Sequence, residues 1–313
     1  MRHDVVSIGE VLIDLTQTGR AGGIPQYAAN PGGAPANAAV AAARMGCRTA
    51  FIGRVGDDAF GDLLRSTLAG DGIDLAGLST DPAIPTTLAV VSVGEGGERS
   101  FTFYRTPGAD VNLRWDEVPH ALLEDCAVLH FGSVSLTADP ARTATLKAAA
   151  HARSHGAVVS YDPNYRPSLW GDEKTAREWM VKGLELADVV KLSDEETTLL
   201  TGHADPAQAG QALLDRGVKL ALITLGARGA YYCHASGTGT VPGIQVQVAD
   251  TNGTGDTFLG AALARLCELG KPLEELTRGE LEELVAFANR AAALTASRPG
   301  AIPAIPHRNE VEG

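Results

Sequence analysis

The sequence predicts an α/β fold, a mainly parallel central sheet with helices on both faces, carrying a small β lid. Three observations point to it. From Val128 onward, short apolar runs alternate with helical stretches of ten or more residues, which is the rhythm of βαβ units. Ala and Gly are abundant while aromatics make up only 5% of the 313 residues, so helices can approach a sheet closely. Two runs, Leu88 to Gly94 and Arg99 to Arg105, flank Gly94-Glu95-Gly96-Gly97, a hairpin signal that breaks the βαβ rhythm.

Taken in order, Val5 to Ile8 reads as a buried strand ending at Gly9. Residues 19–33, rich in Gly, Ala and Pro, read as loop. Ala34 to Met45 reads as an Ala-rich helix stopped by Gly46. Thr49 to Ile52 is strand and Phe60 to Ala69 helix, followed by the hairpin. Then come strands at Val128 to Phe131, Ala157 to Tyr161, Val189 to Leu192 and Leu220 to Thr224. Helices at Ala141 to His155, Lys174 to Leu186 and Glu195 to Leu200 separate them. Ala230 to His234 opens a strand pair, and Asp256 to Leu269 and Glu280 to Ala296 are the last helices. His307 to Gly313 reads as a frayed end. The chain is expected to be a single domain, residues 1–313, with the lid drawn from about 10–32 and 86–108. No internal repeat is visible.

A formal net charge of -12 disfavours nonspecific binding to nucleic acid or an anionic membrane, though not a local cationic pocket. Cys47, Cys126, Cys233 and Cys267 are scattered without a CxxC pair, so neither a disulfide framework nor a zinc site is expected, and a reducing cytoplasm is the natural setting. The first residues run into a strand without the apolar core of a signal peptide, and no uncharged apolar run reaches about 18 residues.

The chemistry concentrates in Asp250-Thr251-Asn252-Gly253-Thr254-Gly255-Asp256-Thr257-Phe258, read as following a strand and opening an Ala-rich helix. A Gly-rich turn at a helix start presents unpaired N–H groups and the positive end of the dipole to an anion. An aspartate there, held ionised, can take a hydroxyl proton as that oxygen attacks a phosphoryl group. The alternative is a capping aspartate on a tight turn. The segment is not a Walker A loop, because no GK[ST] follows, and it lacks the second half of GxGxxG.

Together with Asn30-Pro31-Gly32-Gly33-Ala34-Pro35-Ala36-Asn37-Ala38, this segment resembles the two signatures of the ribokinase-like (pfkB-type) carbohydrate kinases. Thr254 stands where the second signature, DTxGAGDxF, commonly has Ala. The resemblance runs over essentially the whole chain, to Gly300-Ala301-Ile302-Pro303. It leans toward fructokinases on Gly9-Glu10-Val11-Leu12-Ile13-Asp14, on residues 51–58, 98–105 and 107–110, on His130-Phe131-Gly132-Ser133 and on Tyr161-Asp162-Pro163-Asn164-Tyr165-Arg166.

The resemblance implies a ribokinase-like fold and an ATP-dependent sugar kinase. Its first acceptor is D-fructose, phosphorylated to fructose 6-phosphate. Asp256 is then the general base, with Gly253, Thr254 and Gly255 forming the anion hole. Asp14, Gly32, Gly33, Asn37, Phe103, Arg105 and Arg166 fall on the sugar side, Phe103 and Arg105 sharing one face of the hairpin by alternation. Lys191, Ser193, Thr224, Gly226, Gly229 and Asn289 fall on the nucleotide side. Glu196 would organise the water shell of Mg²⁺, although Ser193 stands where many members have Asn. Ser193 and Glu196 equally make a capping box. Asp250 and Asn252, with the turn from Thr295 to Ala304, match a K⁺ site of some members. Asp14 could instead cap a turn, Asn37 be a buried helix asparagine, and Arg166 pair with Asp162.

The alternatives within the family are 2-keto-3-deoxygluconate kinase, whose substrate carboxylate needs an arginine such as Arg105 or Arg166, and ribokinase. A non-catalytic sugar- or nucleotide-binding regulator is the alternative of another class. Family lids that pair between chains imply a homodimer. Finally, His151 and His155 are four apart on a helix, a zinc-compatible spacing, but no third ligand is evident and a solvated helix face is expected.

Overall fold

The computed structural model describes residues 2–93 and 99–313, so the hairpin turn expected at Gly94 to Gly97, and Glu98, lie outside the described residues. The N-terminal part carries β1 (His3–Ile8), β2 (Leu12–Ala21), β3 (Ile24–Gly32), α1 (Ala34–Arg44), β4 (Thr49–Gly56), α2 (Ala59–Gly70), β5 (Asp74–Asp81), β6 (Leu88–Val93) and β7 (Arg99–Tyr104). The βαβ region follows with α3 (His120–Glu124), β8 (Cys126–Gly132), α4 (Ala141–Ser154), β9 (Val158–Asp162), α5 (Glu173–Leu184), β10 (Val189–Ser193), α6 (Asp194–Thr201), α7 (Pro206–Leu214) and β11 (Leu220–Thr224). The chain closes with β12 (Ala230–His234), β13 (Gly237–Val241), α8 (Thr254–Leu269), α9 (Arg278–Ala296) and α10 (Arg308–Glu312).

Nine strands form one sheet in the order β13-β12-β11-β10-β9-β8-β1-β4-β5, parallel throughout except for the antiparallel pairings of β12 with β11 and β13. Its parallel strands are apolar on both faces, as expected for strands covered on both sides. Val6, Leu129, Val190 and Ala221 pack into one core with α4, α5 and α7. Their neighbours Val5, Val128, Val189 and Leu220 pack into the opposite core with α8 and α9. Alternation thus divides each strand between two helical layers.

A second, four-stranded sheet has the order β3-β2-β6-β7. Here the reading of residues 19–33 as loop is corrected, because β2 and β3 form an antiparallel hairpin with Ala21 opposite Ile24. The two residues between them, Gly22 and Gly23, both have positive φ (57° and 83°), which a two-residue hairpin turn demands and glycine tolerates. The composition signalled turn residues along the segment and hid the single place where the turn falls.

Three further expectations are revised. Residues 242–253, ahead of the glycine turn, form no strand. β5 and α7 were not foreseen, the first an edge strand with mixed burial and the second a helix begun by Asp205, whose side chain accepts from the Gln208 N–H. The expected frayed end is α10, where the Glu310 carboxylate accepts from the His307 N–H at 2.8 Å and pairs with Arg298. Among the described residues, no helix is long and apolar enough to cross a membrane.

Candidate active site

The site lies at the carboxyl ends of the central parallel strands, where an open α/β sheet builds its crevice. Glu10 follows β1, Asp162 ends β9 and leads to Asn164 and Arg166, and Lys191 and Ser193 close β10. From the helical layer, α8 brings its N-terminus to the same edge.

Gly253 caps α8 at φ 75°, a left-handed conformation that suits glycine. The helix begins at Thr254, which places Asp256 in its first turn rather than at the cap, so the capping alternative does not hold. In this first turn the N–H groups of Gly255 and Asp256 have no acceptor within the helix. The Thr254 hydroxyl donates to the Thr251 carbonyl at 2.9 Å and braces the turn.

Asp256 is buried, yet both of its carboxylate oxygens are held. Asn37 Nδ2 donates to Oδ2 at 2.7 Å, and Asn164 Nδ2 to Oδ1 at 2.9 Å. Burial, with repulsion from Asp162, raises its pKa to about 6 against the pull of Asn37, Lys191 and Arg166. The expectation that the helix start simply holds it ionised is thus sharpened. A carboxylate near 6 is ionised at neutral pH and still basic enough to accept a proton.

Lys191 is buried against the turn, and its ammonium ion-pairs with Asp162 at 2.9 Å. A Cβ on Gly255 would sit 2.9 Å from Lys191 Nζ, so a glycine there lets the cation approach the helix start. Burial alone would lower the lysine pKa, but Asp162 and Glu196 outweigh it and the net shift is upward. Asp162 therefore serves as the partner of Lys191.

Beside the turn, a cleft is lined by Glu10, Asp14, Gly33, Asn37, Phe103, Asn164, Arg166, Asn252 and Asp256. Asp14 sits on β2 opposite Asn30, with Oδ2 accepting from Asn252 Nδ2 at 3.3 Å. Burial raises its pKa to about 6, opposed by Asn252 and Arg166. Gly32 is required beside it, since a Cβ there would lie 2.6 Å from Asp14 Oδ2. Asn37, on α1, spends its amide nitrogen on Asp256, while its Oδ1 is buried with no partner among the described residues. Asn37 lines the cleft, and an unpaired buried acceptor beside it is one that a hydroxyl could satisfy.

One expected position is corrected. Arg105 does not join the cleft. Strand β7 ends at Tyr104, so alternation no longer governs the next residue. Its guanidinium turns inward to Asp110 at 2.7 Å, donates to Thr137 Oγ1 at 2.6 Å and donates to the Val134 carbonyl at 3.1 Å. The Asn252 side-chain amide donates to Asp14 within this cleft. Asp250 ties the turn to the C-terminal loop, accepting from the N–H of Asn252 at 2.7 Å and of Gly300 at 3.1 Å.

On the other side of the turn, Thr224, Gly226, Gly229, Asn289, Thr254 and Gly255 line a largely apolar cavity of about 260 Å³ with Ile244, Val246 and Phe258. The Asn289 amide is committed to the carbonyls of Val241 and Pro242, so it shapes the wall. A wider cavity joins this region to the turn and is edged by Lys191, Ser193, Asp194 and Glu196. Glu196 Oε2 accepts from both the N–H and the hydroxyl of Ser193, and Oε1 accepts from the Tyr165 N–H at 2.7 Å. The capping-box alternative is therefore realised, and it holds a carboxylate at the cavity edge.

Three residues escaped the sequence reading as site residues. Asn164 holds Asp256 from a left-handed backbone (φ 47°), Asp162 anchors Lys191, and Glu10 lines the cleft. Burial pushes the Glu10 carboxyl up to about 8, and its Oε2 has no partner among the described residues. Each lies at or just past the end of a parallel strand, and that position was the available signal.

Residues 2–308 match the pfkB family carbohydrate kinases. The chain belongs to this family. Fructokinase-1 of Oryza sativa subsp. japonica is 42% identical over 311 residues, covering 98% of this chain and 96% of that protein. Among solved structures, the fructokinase of Xylella fastidiosa with bound ATP superposes with a TM-score of 0.92 at 34% identity, covering 100% of this chain and 98% of that one. The fructokinase of Vibrio cholerae O395, bound to fructose, ADP and calcium, gives 0.89 at 35%, covering 99% and 98%. The pfkB kinase described here therefore has the ribokinase-like fold expected from its two signatures.

Proposed function

We propose that this pfkB kinase transfers the terminal phosphoryl group of ATP to the 6-hydroxyl of D-fructose. The observation that carries the reading is Asp256, a buried carboxylate held by two asparagine amides at the foot of a helix N-terminus, between a polar cleft and an apolar cavity. Likeness to fructokinases, including one with fructose and ADP bound, supports the choice of acceptor.

In this reading the sugar occupies the cleft, its hydroxyls on Asp14 and on the unpaired Asn37 Oδ1. Asp256 takes the proton of the attacking hydroxyl as the new O–P bond forms and the bond to the ADP oxygen breaks. The N–H groups of Gly255 and Asp256 and the Lys191 ammonium meet the charge on the phosphoryl oxygens, where preorganised donors act most strongly. The purine would enter the apolar cavity by Gly226, Gly229 and Asn289. Carboxylates at the edge of the phosphate region, Glu196 foremost, are hard oxygen donors of the kind that hold hydrated Mg²⁺. Bound there with the nucleotide, Mg²⁺ would neutralise phosphate charge. A monovalent cation such as K⁺, held by the loop that Asp250 ties to Gly300, belongs to the same proposal.

We further propose a single domain, residues 1–313, whose four-stranded sheet serves as a lid over the sugar and limits water attack. Ile24, Tyr27 and Tyr104, exposed on the edge strands of that sheet, suit pairing between two copies. A reducing, cytoplasmic setting suits its unpaired thiols.

The test is ADP release over a panel of fructose, ribose, 2-keto-3-deoxygluconate, tagatose and nucleosides, with the product of the best acceptor identified. Fructose should lead by kcat/KM. Preference for 2-keto-3-deoxygluconate would favour the second reading, for which Arg166 alone of the two arginines lines the cleft. No sugar-dependent ADP release would sink the proposal.

A further inference from the structure

We propose that Glu124, His151 and His155 form a surface site for a borderline divalent metal such as Zn²⁺. The spacing of the two histidines pointed to zinc, and the apparent lack of a third ligand pointed away. The structure supplies that ligand from a different helix. Glu124 ends α3, and its Oε1 lies 3.1 Å from Nε2 of His151 on α4. His155 caps the C-terminus of α4 one turn on, with its ring centroid 4.4 Å from that of His151. One ligand atom from each of the three residues falls within 4.8 Å of the others, the only such group among the described residues.

The donor chemistry suits zinc, which takes imidazole and carboxylate at about 2.0–2.2 Å and tolerates a water in its fourth place. Bonds of that length at a tetrahedral angle put two ligand atoms about 3.3 Å apart. The Glu124–His151 separation is already close to this, and a side-chain rotation of His155 would bring its nitrogen in from within 4.8 Å. The rings are also oriented. His155 Nδ1 lies 2.9 Å from the His151 carbonyl, the outer contact that fixes a ligating imidazole and leaves its other nitrogen for the metal. His120 stacks on Trp115 with centroids 4.2 Å apart and closes one side, its own centroid 5.2 Å from that of His151. An ordinary ion pair would need only one histidine, whereas here a second imidazole lies within reach of the same carboxylate. The site is exposed enough for an ion to enter, and it would clip α3 to α4.

The full-length protein would be stripped with chelator and titrated with Zn²⁺ by equilibrium dialysis, beside His151→Ala, His155→Ala and Glu124→Gln. One equivalent should bind to the wild type. Each histidine variant should weaken binding by about tenfold or more, since even the outer partners of a ligand cost 10–100-fold. Unchanged melting temperatures in chelator would show that the variants fold, and only the wild type should gain thermal stability on adding zinc. Co²⁺ in place of zinc should give a tetrahedral visible spectrum without a thiolate charge-transfer band. Failure of the wild type to retain zinc would overturn the proposal. So would equal binding by wild type and His151→Ala, or a thiolate band, which would place a cysteine on the metal.

Discussion

Replacing Asn37 by alanine separates the two jobs the structure gives this side chain. Its Nδ2 donates to Asp256 at 2.7 Å, and its Oδ1 waits buried for a partner. A hydrogen bond to a charged group contributes about 1.5–3 kcal/mol, and one pKa unit corresponds to 1.36 kcal/mol. Because the bond favours the ionised form, its loss raises the Asp256 pKa, from about 6 to roughly 7–8. In the proposed mechanism the base works deprotonated, so the acid limb of kcat/KM for the sugar should move up by about 1–2 pH units. Relative to its own alkaline plateau, the variant at pH 6 should then be about 5- to 50-fold further down than the wild type. Loss of the Oδ1 contact would scale the whole profile without moving its limb. The assay is ADP release at low sugar across pH 5–9. A uniformly lower profile with its limb still near pH 6 would refute the claim that Asn37 tunes the base.

Three other outcomes follow from the same geometry. Glu10, raised to about 8 by burial, keeps its proton in the folded chain and loses it in the unfolded chain between the ordinary carboxyl range and pH 8. Folding stability should therefore fall as pH rises through that window, and Glu10→Gln should flatten the fall in urea titrations at pH 5, 6.5 and 8. Arg105→Ala leaves Asp110 buried and unpaired, so it should cost about 3–5 kcal/mol in urea unfolding and leave the KM for sugar within a few-fold, the reverse of a substrate-contact residue. Gly32→Ala would push a methyl group to 2.6 Å from Asp14 Oδ2, which should raise the KM for sugar about tenfold while the KM for ATP stays put.

The parallel sheet was legible because its strands are short apolar runs spaced by helices, a signal contained in local stretches of sequence. The glycine turn was legible for the same reason, whereas Asp256 was read as a base only from the resemblance that this turn makes together with the distant segment Asn30 to Ala38. What escaped was whatever depends on chain segments meeting. The bond from Asn164 to Asp256 spans 92 residues and that from Asn37 spans 219, so no spacing rule announces either. Arg105 was misplaced because alternation was carried one residue past the end of β7. Residues 19–33 were misread because a two-stranded ribbon has little apolar patterning, and the turn residues spread along the segment hid the one turn at Gly22-Gly23. Glu124 and His151, 27 residues apart, meet only because α3 packs on α4.

The most direct test of the account is Asp256→Asn. Asparagine keeps the shape and one of the two amide contacts, and it removes both the base and the cost of a buried charge. The protein should fold with a melting temperature within a few degrees of wild type and bind fructose, by calorimetry, within several-fold. Its fructose-dependent ADP release should fall by about 10²–10⁴, the contribution of a positioned general base. Turnover within tenfold of the wild type, with sugar binding intact, would contradict the assignment of Asp256 as the group that takes the hydroxyl proton.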